Sequence, residues 1–126
     1  MNLKKNAGQF LGEANAIVPK MSLEDAISLL DESKAIVIDV RDGKEIDETG
    51  TVKGALCIPR GMMEFVADPS TPFYNEAITD DKEILLICGA GGMAALTGKT
   101  LTDMGYEKVH NLGGFNDWKE AGGPTQ

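Results

Sequence analysis

The sequence predicts an α/β fold in which a parallel sheet is covered by helices. Three observations carry this. Glu83–Cys88 and, except for Asp39, Ala35–Val40 are short, β-branched and apolar on both faces, the pattern of strands buried on both sides, and Val109–Leu112 reads as the last strand. Residues 22–31 and 93–104 switch to a spacing that suits helices. Strand and helix patterns alternate along one chain, as βαβ units require.

Taken in order, Leu3 to Ile17 reads as an amphipathic helix with Leu3, Phe10, Leu11, Ala14 and Ile17 on one side, weakened by Gly8 and Gly12. We treat residues 1–17 as an N-terminal helical extension, suited to pack as an appendage or to pair two copies, and 18–126 as the main domain. Val18-Pro19-Lys20-Met21 is a short extended piece. Ser22 is the N-cap of a helix with Glu24 and Asp25 in its first turn and Leu23, Ala26, Ile27 and Leu30 as its apolar stripe. The strand Ala35–Val40 carries one carboxylate, Asp39, which must be paired; Asp39, Arg41 and Glu45 form a bracing network on this reading. A helical turn surrounds Glu45-Ile46, and Leu56–Ile58 is a brief strand ended by Pro59. Arg60 to Val66 is a turn entering a helix, with Met62, Met63, Phe65 and Val66 as core filler. Asp68 to Asp81 is a long loop expected to border the site. Gly105 closes the helix that starts at Met93, Gly113-Gly114 makes the last turn, and Phe115 to Ala121 forms a closing helix with Trp118 inward.

Size and charge bound what such a domain can do. The chain has 126 residues, enough for one domain that buries about two-thirds of its unfolded surface. Its net charge of −8 argues against a nucleic acid or an anionic membrane as partner. Two cysteines, Cys57 and Cys88, make no disulfide framework, and His110, the one histidine, lies in no metal-ligand spacing. A reducing, cytoplasmic setting fits, with no cofactor and no metal. Met1 to Lys5 is followed by no apolar signal core, and no apolar run approaches the roughly 20 residues of a membrane span.

The chemistry concentrates at Cys88-Gly89-Ala90-Gly91-Gly92-Met93-Ala94, where a buried strand runs into a glycine-rich loop and a helix. Ligands collect at the carboxyl ends of parallel strands, and converging backbone N–H groups with a helix N-terminus make an anion-binding hollow. Thiols at helix N-termini ionise more easily than free ones, and the thiolate is the nucleophile. The bland reading is an inert core cysteine. Three glycines in four positions are a costly choice for a mere connection. No histidine is placed to serve as a base, which suits attack on soft sulfur better than acyl transfer. If the strand before it is parallel, Arg60 emerges on the same edge as Cys88 and can bind an oxyanion. Cys57 is read as a packed residue, with a resolving role for Cys88 as the alternative.

Asp39-Val40-Arg41 with Glu45, Gly54-Ala55-Leu56-Cys57-Ile58-Pro59, the Cys88 loop, Gly105-Tyr106-Glu107-Lys108-Val109 and Leu112-Gly113-Gly114-Phe115 with Trp118 together resemble the single-domain rhodanese family of sulfurtransferases. The resemblance spans about Val18 to Gly123. It implies a five-stranded parallel sheet between helices. It further implies that Cys88 accepts sulfane sulfur as a persulfide from a donor such as thiosulfate. The sulfur then passes to cyanide, a cellular thiol or an acceptor protein, with Gly89 to Ala94 cradling the persulfide. Two positions depart from the family pattern: Met93 stands where a loop cation is common, and Thr51 where a histidine is frequent. Two other functions compete. One is a binding or redox-sensing module; the other is a phosphatase, whose related loop is one residue longer and closed by an arginine absent here.

Overall fold

The computed structural model describes residues 1–126. Four parallel strands, β1 (Ala35–Asp39), β2 (Leu56–Cys57), β3 (Glu83–Cys88) and β4 (Val109–Gly114), lie in the order β2-β1-β3-β4. Six helices surround them: α1 (Ala7–Ile17), α2 (Leu23–Asp31), α3 (Gly43–Thr49), α4 (Met63–Val66), α5 (Gly92–Met104) and α6 (Phe115–Glu120). A single 3₁₀ turn at Arg60–Met62 leads into α4.

The period-2 geometry of β3 divides the core. Ile84, Leu86 and Cys88 point into one layer with Ile38, Val40, Met63, Ala94 and Leu101. Leu85 and Ile87 point into the other, with Ala26, Val37, Phe115 and Trp118. Cys88 therefore faces α5, and the fold delivers it there simply by strand alternation.

The expected fifth strand is reduced to one residue. Lys20 makes an isolated parallel bridge to Asn111, with Asn111 N–H donating to Pro19 O at 2.8 Å and Met21 N–H to Asn111 O at 3.1 Å. Pro19 has no N–H to extend the ladder, and Ser22 already caps α2, its Oγ accepting from Asp25 N–H at 3.1 Å.

Four other expectations need correction. The first helix starts at Ala7, not Leu3, because Asn6 and Gln9 close a capping box ahead of it. Of its expected apolar stripe only Ala14 is fully buried, whereas Phe10 and Ile17 remain nearly half exposed. Met62 and Phe65 are exposed and do not fill the core; Met63 is the buried member of that run. Gly113 belongs to β4, where a bulge shifts the register between Leu86 and Ile87 of β3.

The loop 68–81 does not border the Cys88 loop. It packs at the far end of α5, where Ala67, Tyr74 and Ile78 meet Met104 and Tyr106, and Tyr106 Oη donates to Ala67 O at 2.6 Å. Twelve residues of helix separate that end from Gly92, about 18 Å at 1.5 Å per residue.

Candidate active site

β3 ends at Cys88, and the next residues turn so that the main chain closes around the sulfur. Gly91 N–H donates to Cys88 Sγ at 3.0 Å and Ala94 N–H at 3.4 Å. The turn needs Gly91 in the left-handed region, at φ +97°. α5 then begins, so the N–H groups of Gly92 and Met93 have no acceptor within the helix. Cys88 is only 2% exposed. Main-chain donors aimed at a sulfur stabilise negative charge on it and on any atom bonded to it.

The loop is held from outside by Asn111, a residue that the sequence reading overlooked. Its Nδ2 donates to Gly91 O at 3.0 Å and its Oδ1 accepts from Gly113 N–H at 2.8 Å. Asn111 is buried, so its amide is the connection between β4 and the loop. A signal was present: an asparagine in a strand expected to be buried must find partners, and the nearest candidates are the glycine-rich turns. Gly114 adds a steric constraint, because a Cβ there would lie 2.4 Å from Gly89 O.

Beside this loop, at the end of β1, stands the braced network. Arg41 Nη2 donates to Asp39 Oδ2 at 2.7 Å and Nε to Oδ1 at 3.0 Å, while Thr51 Oγ1 donates to Oδ2 at 2.7 Å. Arg41 also reaches Thr49 Oγ1 and Gly50 O, both at 2.9 Å, and its guanidinium lies over the Phe115 ring. The hydrogen bonds it donates to Asp39 hold the Arg41 pKa above its ordinary value. Asp39 and Arg41 are buried and mutually satisfied, which fits bracing and leaves them no free valence for substrate. Thr51, standing where a histidine is frequent, is thus one of Asp39's partners. Glu45 is exposed and keeps a carboxylate oxygen 3.8 Å from where a Gly89 Cβ would be.

Of the other expected residues, Arg60 does emerge at the carboxyl edge, since β2 runs parallel to β1. Its N–H donates to Val40 O at 3.1 Å, and its side chain shares a groove with Gly92 and Met93. Gly89, Ala90 and Met93 are exposed; Gly91 and Ala94 are buried. His110 pairs with Glu83 at 3.2 Å near the opposite end of β3 and is structural, as expected.

Cys57 is exposed and not packed. It is in register with Asp39, which is in register with Ile87, so Cys57 faces the layer opposite to Cys88 and lies two strands away. At about 4.8 Å per strand, the Cα separation is roughly 10 Å, beyond disulfide reach. A resolving role is thereby removed. No group of three or more metal-ligating side chains exists. No helix is long and apolar enough to cross a membrane.

Comparison with known proteins agrees with this architecture. The family model for the rhodanese-like domain matches residues 22–121. Thiosulfate sulfurtransferase GlpE of Tolumonas auensis is 27% identical over 103 residues, covering 81% of this chain and 89% of that protein. YrkF of Bacillus subtilis is 28% identical over 116 residues; the match takes in 90% of this chain but only 58% of YrkF. A solved structure from Rhodopseudomonas palustris, described as a protein of unknown function and possible tyrosine phosphatase, is 35% identical with a TM-score of 0.90, covering 100% of this chain and 98% of that one.

Proposed function

This chain belongs to the rhodanese-like domain family, and we propose that it moves sulfane sulfur through a persulfide on Cys88. One observation supports the reading: the Cys88 sulfur accepts main-chain hydrogen bonds from Gly91 and Ala94 N–H at the start of a helix. In the first step the Cys88 thiolate attacks the outer sulfur of a donor. With thiosulfate, the new S–S bond forms as the donor's own S–S bond breaks, and sulfite leaves with the electron pair. The outer sulfur of the persulfide then carries the negative charge, and the loop amides are the groups that receive it. In the second step a cyanide or thiolate acceptor takes that sulfur and the pair returns to Cys88 Sγ. Neither step needs a strong base, consistent with His110 lying at the other end of the strand.

The test is intact-mass measurement after incubation with thiosulfate or a persulfide donor. A gain of one sulfur atom, released by cyanide and absent in Cys88→Ser, is expected. No gain with any sulfane donor would return the protein to a binding or redox-sensing module.

A phosphatase reading arises from the description of the Rhodopseudomonas palustris relative. The loop speaks against it. The fifth and sixth positions after Cys88 are Met93 and Ala94, so a phosphoryl group would lack the bidentate arginine that holds it. Hydrolysis of p-nitrophenyl phosphate that disappears in Cys88→Ser would reinstate phosphatase chemistry.

A further inference from the structure

The groove beside the Cys88 loop has a composition that thiosulfate does not explain. It is lined by Phe10 and Leu11 of α1, Gly92, Met93 and Leu96 of α5, and Arg60, and has a volume of about 490 Å³. It shares Gly92 and Met93 with the start of the helix that follows Cys88, so it lies against the loop that carries the reacting atom. α1 is fixed as its wall: Leu11 Cδ2 lies 3.5 Å from where a Gly92 Cβ would be, and Val18 packs so tightly on Gly98 that a Cβ there would come within 2.8 Å. Phe10 and Met93 are 48% and 39% exposed, an apolar pair left open to solvent at the mouth.

Charge is distributed just as unevenly. Arg60 takes part in none of the ion pairs of the molecule and is the groove's single cation. On another side of the loop stands the Glu45 carboxylate, close to Gly89. A small dianion entering the cradle would meet that carboxylate and an apolar rim. A longer molecule would place an aliphatic body along Phe10, Leu11, Met93 and Leu96 and an anionic end at Arg60.

We infer that the donor is a small organic persulfide with an aliphatic body and a carboxylate, and that α1 is part of its binding site. The inference rests on the sulfur-transfer reading above and narrows it. Cys88 thiolate attacks the terminal sulfur of R–S–SH; the Cys88–S bond forms, the donor S–S bond breaks, and its electron pair leaves on R–S⁻. The proton stays with the transferred sulfur, and no outside oxidant or reductant is consumed.

The experiment measures single-turnover sulfur loading of the full chain by mass, using thiosulfate, mercaptohexanoate persulfide and the uncharged mercaptohexanol persulfide. Arg60→Ala is expected to slow the carboxylate-bearing persulfide by about tenfold, the loss of one charge-assisted contact, while leaving the alcohol unchanged. Phe10→Ala is expected to slow both persulfides by about threefold to tenfold and thiosulfate not at all. Met93→Lys is expected to shift preference toward thiosulfate by about tenfold. Rates with the persulfides that neither Arg60→Ala nor Phe10→Ala alters would overturn the inference. So would sedimentation showing that a second copy covers Phe10 in the wild type and is released in Phe10→Ala. Those results would leave Cys88 loading intact, whereas no loading from any of the three donors would overturn the sulfur-transfer reading itself.

Discussion

The ends of β1 and β3 are neighbours on one sheet edge, yet they are built from opposite materials. At β1, buried side chains of opposite charge saturate one another: Asp39, Arg41, Thr49 and Thr51 complete a closed set of hydrogen bonds. At β3, glycines and main-chain N–H groups surround one sulfur, and the first N–H groups of α5 keep bonding capacity in hand. A closed set contributes stability and geometry; an open set can receive an atom that is not yet there. On the proposed sulfur-transfer reading, function sits on the open set, and its neighbour holds the edge in place.

The comparison breaks most visibly if the braced end is cut. Asp39→Ala strips a buried guanidinium of its partner and is expected to cost about 3–5 kcal/mol in denaturant unfolding, with the sulfur-loading rate per folded molecule retained. A loading collapse at unchanged stability would place Asp39 in the chemistry instead. Gly114→Ala tests the other end by pushing on the Gly89 carbonyl. A displacement of the loop by about 1 Å should reduce loading roughly a hundredfold, with a stability loss of about 1–3 kcal/mol. Crystal or NMR data showing an unmoved loop and full loading would contradict the close fit.

A subtler probe is Asn111→Ala, which removes the acceptor of Gly113 N–H and leaves Gly91 O with Ala95 N–H alone. It should lower stability by about 1–3 kcal/mol and slow loading at saturating donor, since Gly91 N–H loses its orientation toward the sulfur. An effect on stability alone would make Asn111 a packing residue. The smallest effect belongs to Cys57→Ser, which should load sulfur at the wild-type rate. Although its side chain reaches solvent, partial desolvation by the surrounding chain first, and the Asp39 charge second, raise the Cys57 pKa, so less thiolate is present at a given pH. Alkylation of Cys57 at neutral pH should therefore be slower than that of a free thiol and rise only at higher pH.

Much of this was legible from residue order. The apolar runs gave three strands, Ser22 and Gly105 marked helix ends, and Cys88 fell at a strand terminus before a glycine loop. What stayed hidden depended on through-space placement. Asn111 is nineteen positions after Gly92 in the chain, and only the β3–β4 pairing brings its amide to the loop. The loop 68–81 has turn residues that announce a loop and nothing that says which end of α5 it covers. The fifth strand failed for a local reason, since Pro19 and the Ser22 cap leave no room for the ladder to extend beyond the two bonds to Asn111. Cys57 looked packed because its neighbours are apolar, but it lies on the short outermost strand β2, where one edge has no further strand beside it.

One consequence follows from the cradle being made of peptide groups. Amides are the same at every position, so exchanging side chains cannot recolour the cup's polarity; it can only deform it, as a methyl group on Gly114 would. If the groove binds the donor as proposed, divergence toward new sulfur donors, whether by natural drift or by laboratory selection, is thereby channelled outward to Phe10, Arg60 and Met93, where a replacement would alter what is recognised without disturbing what reacts.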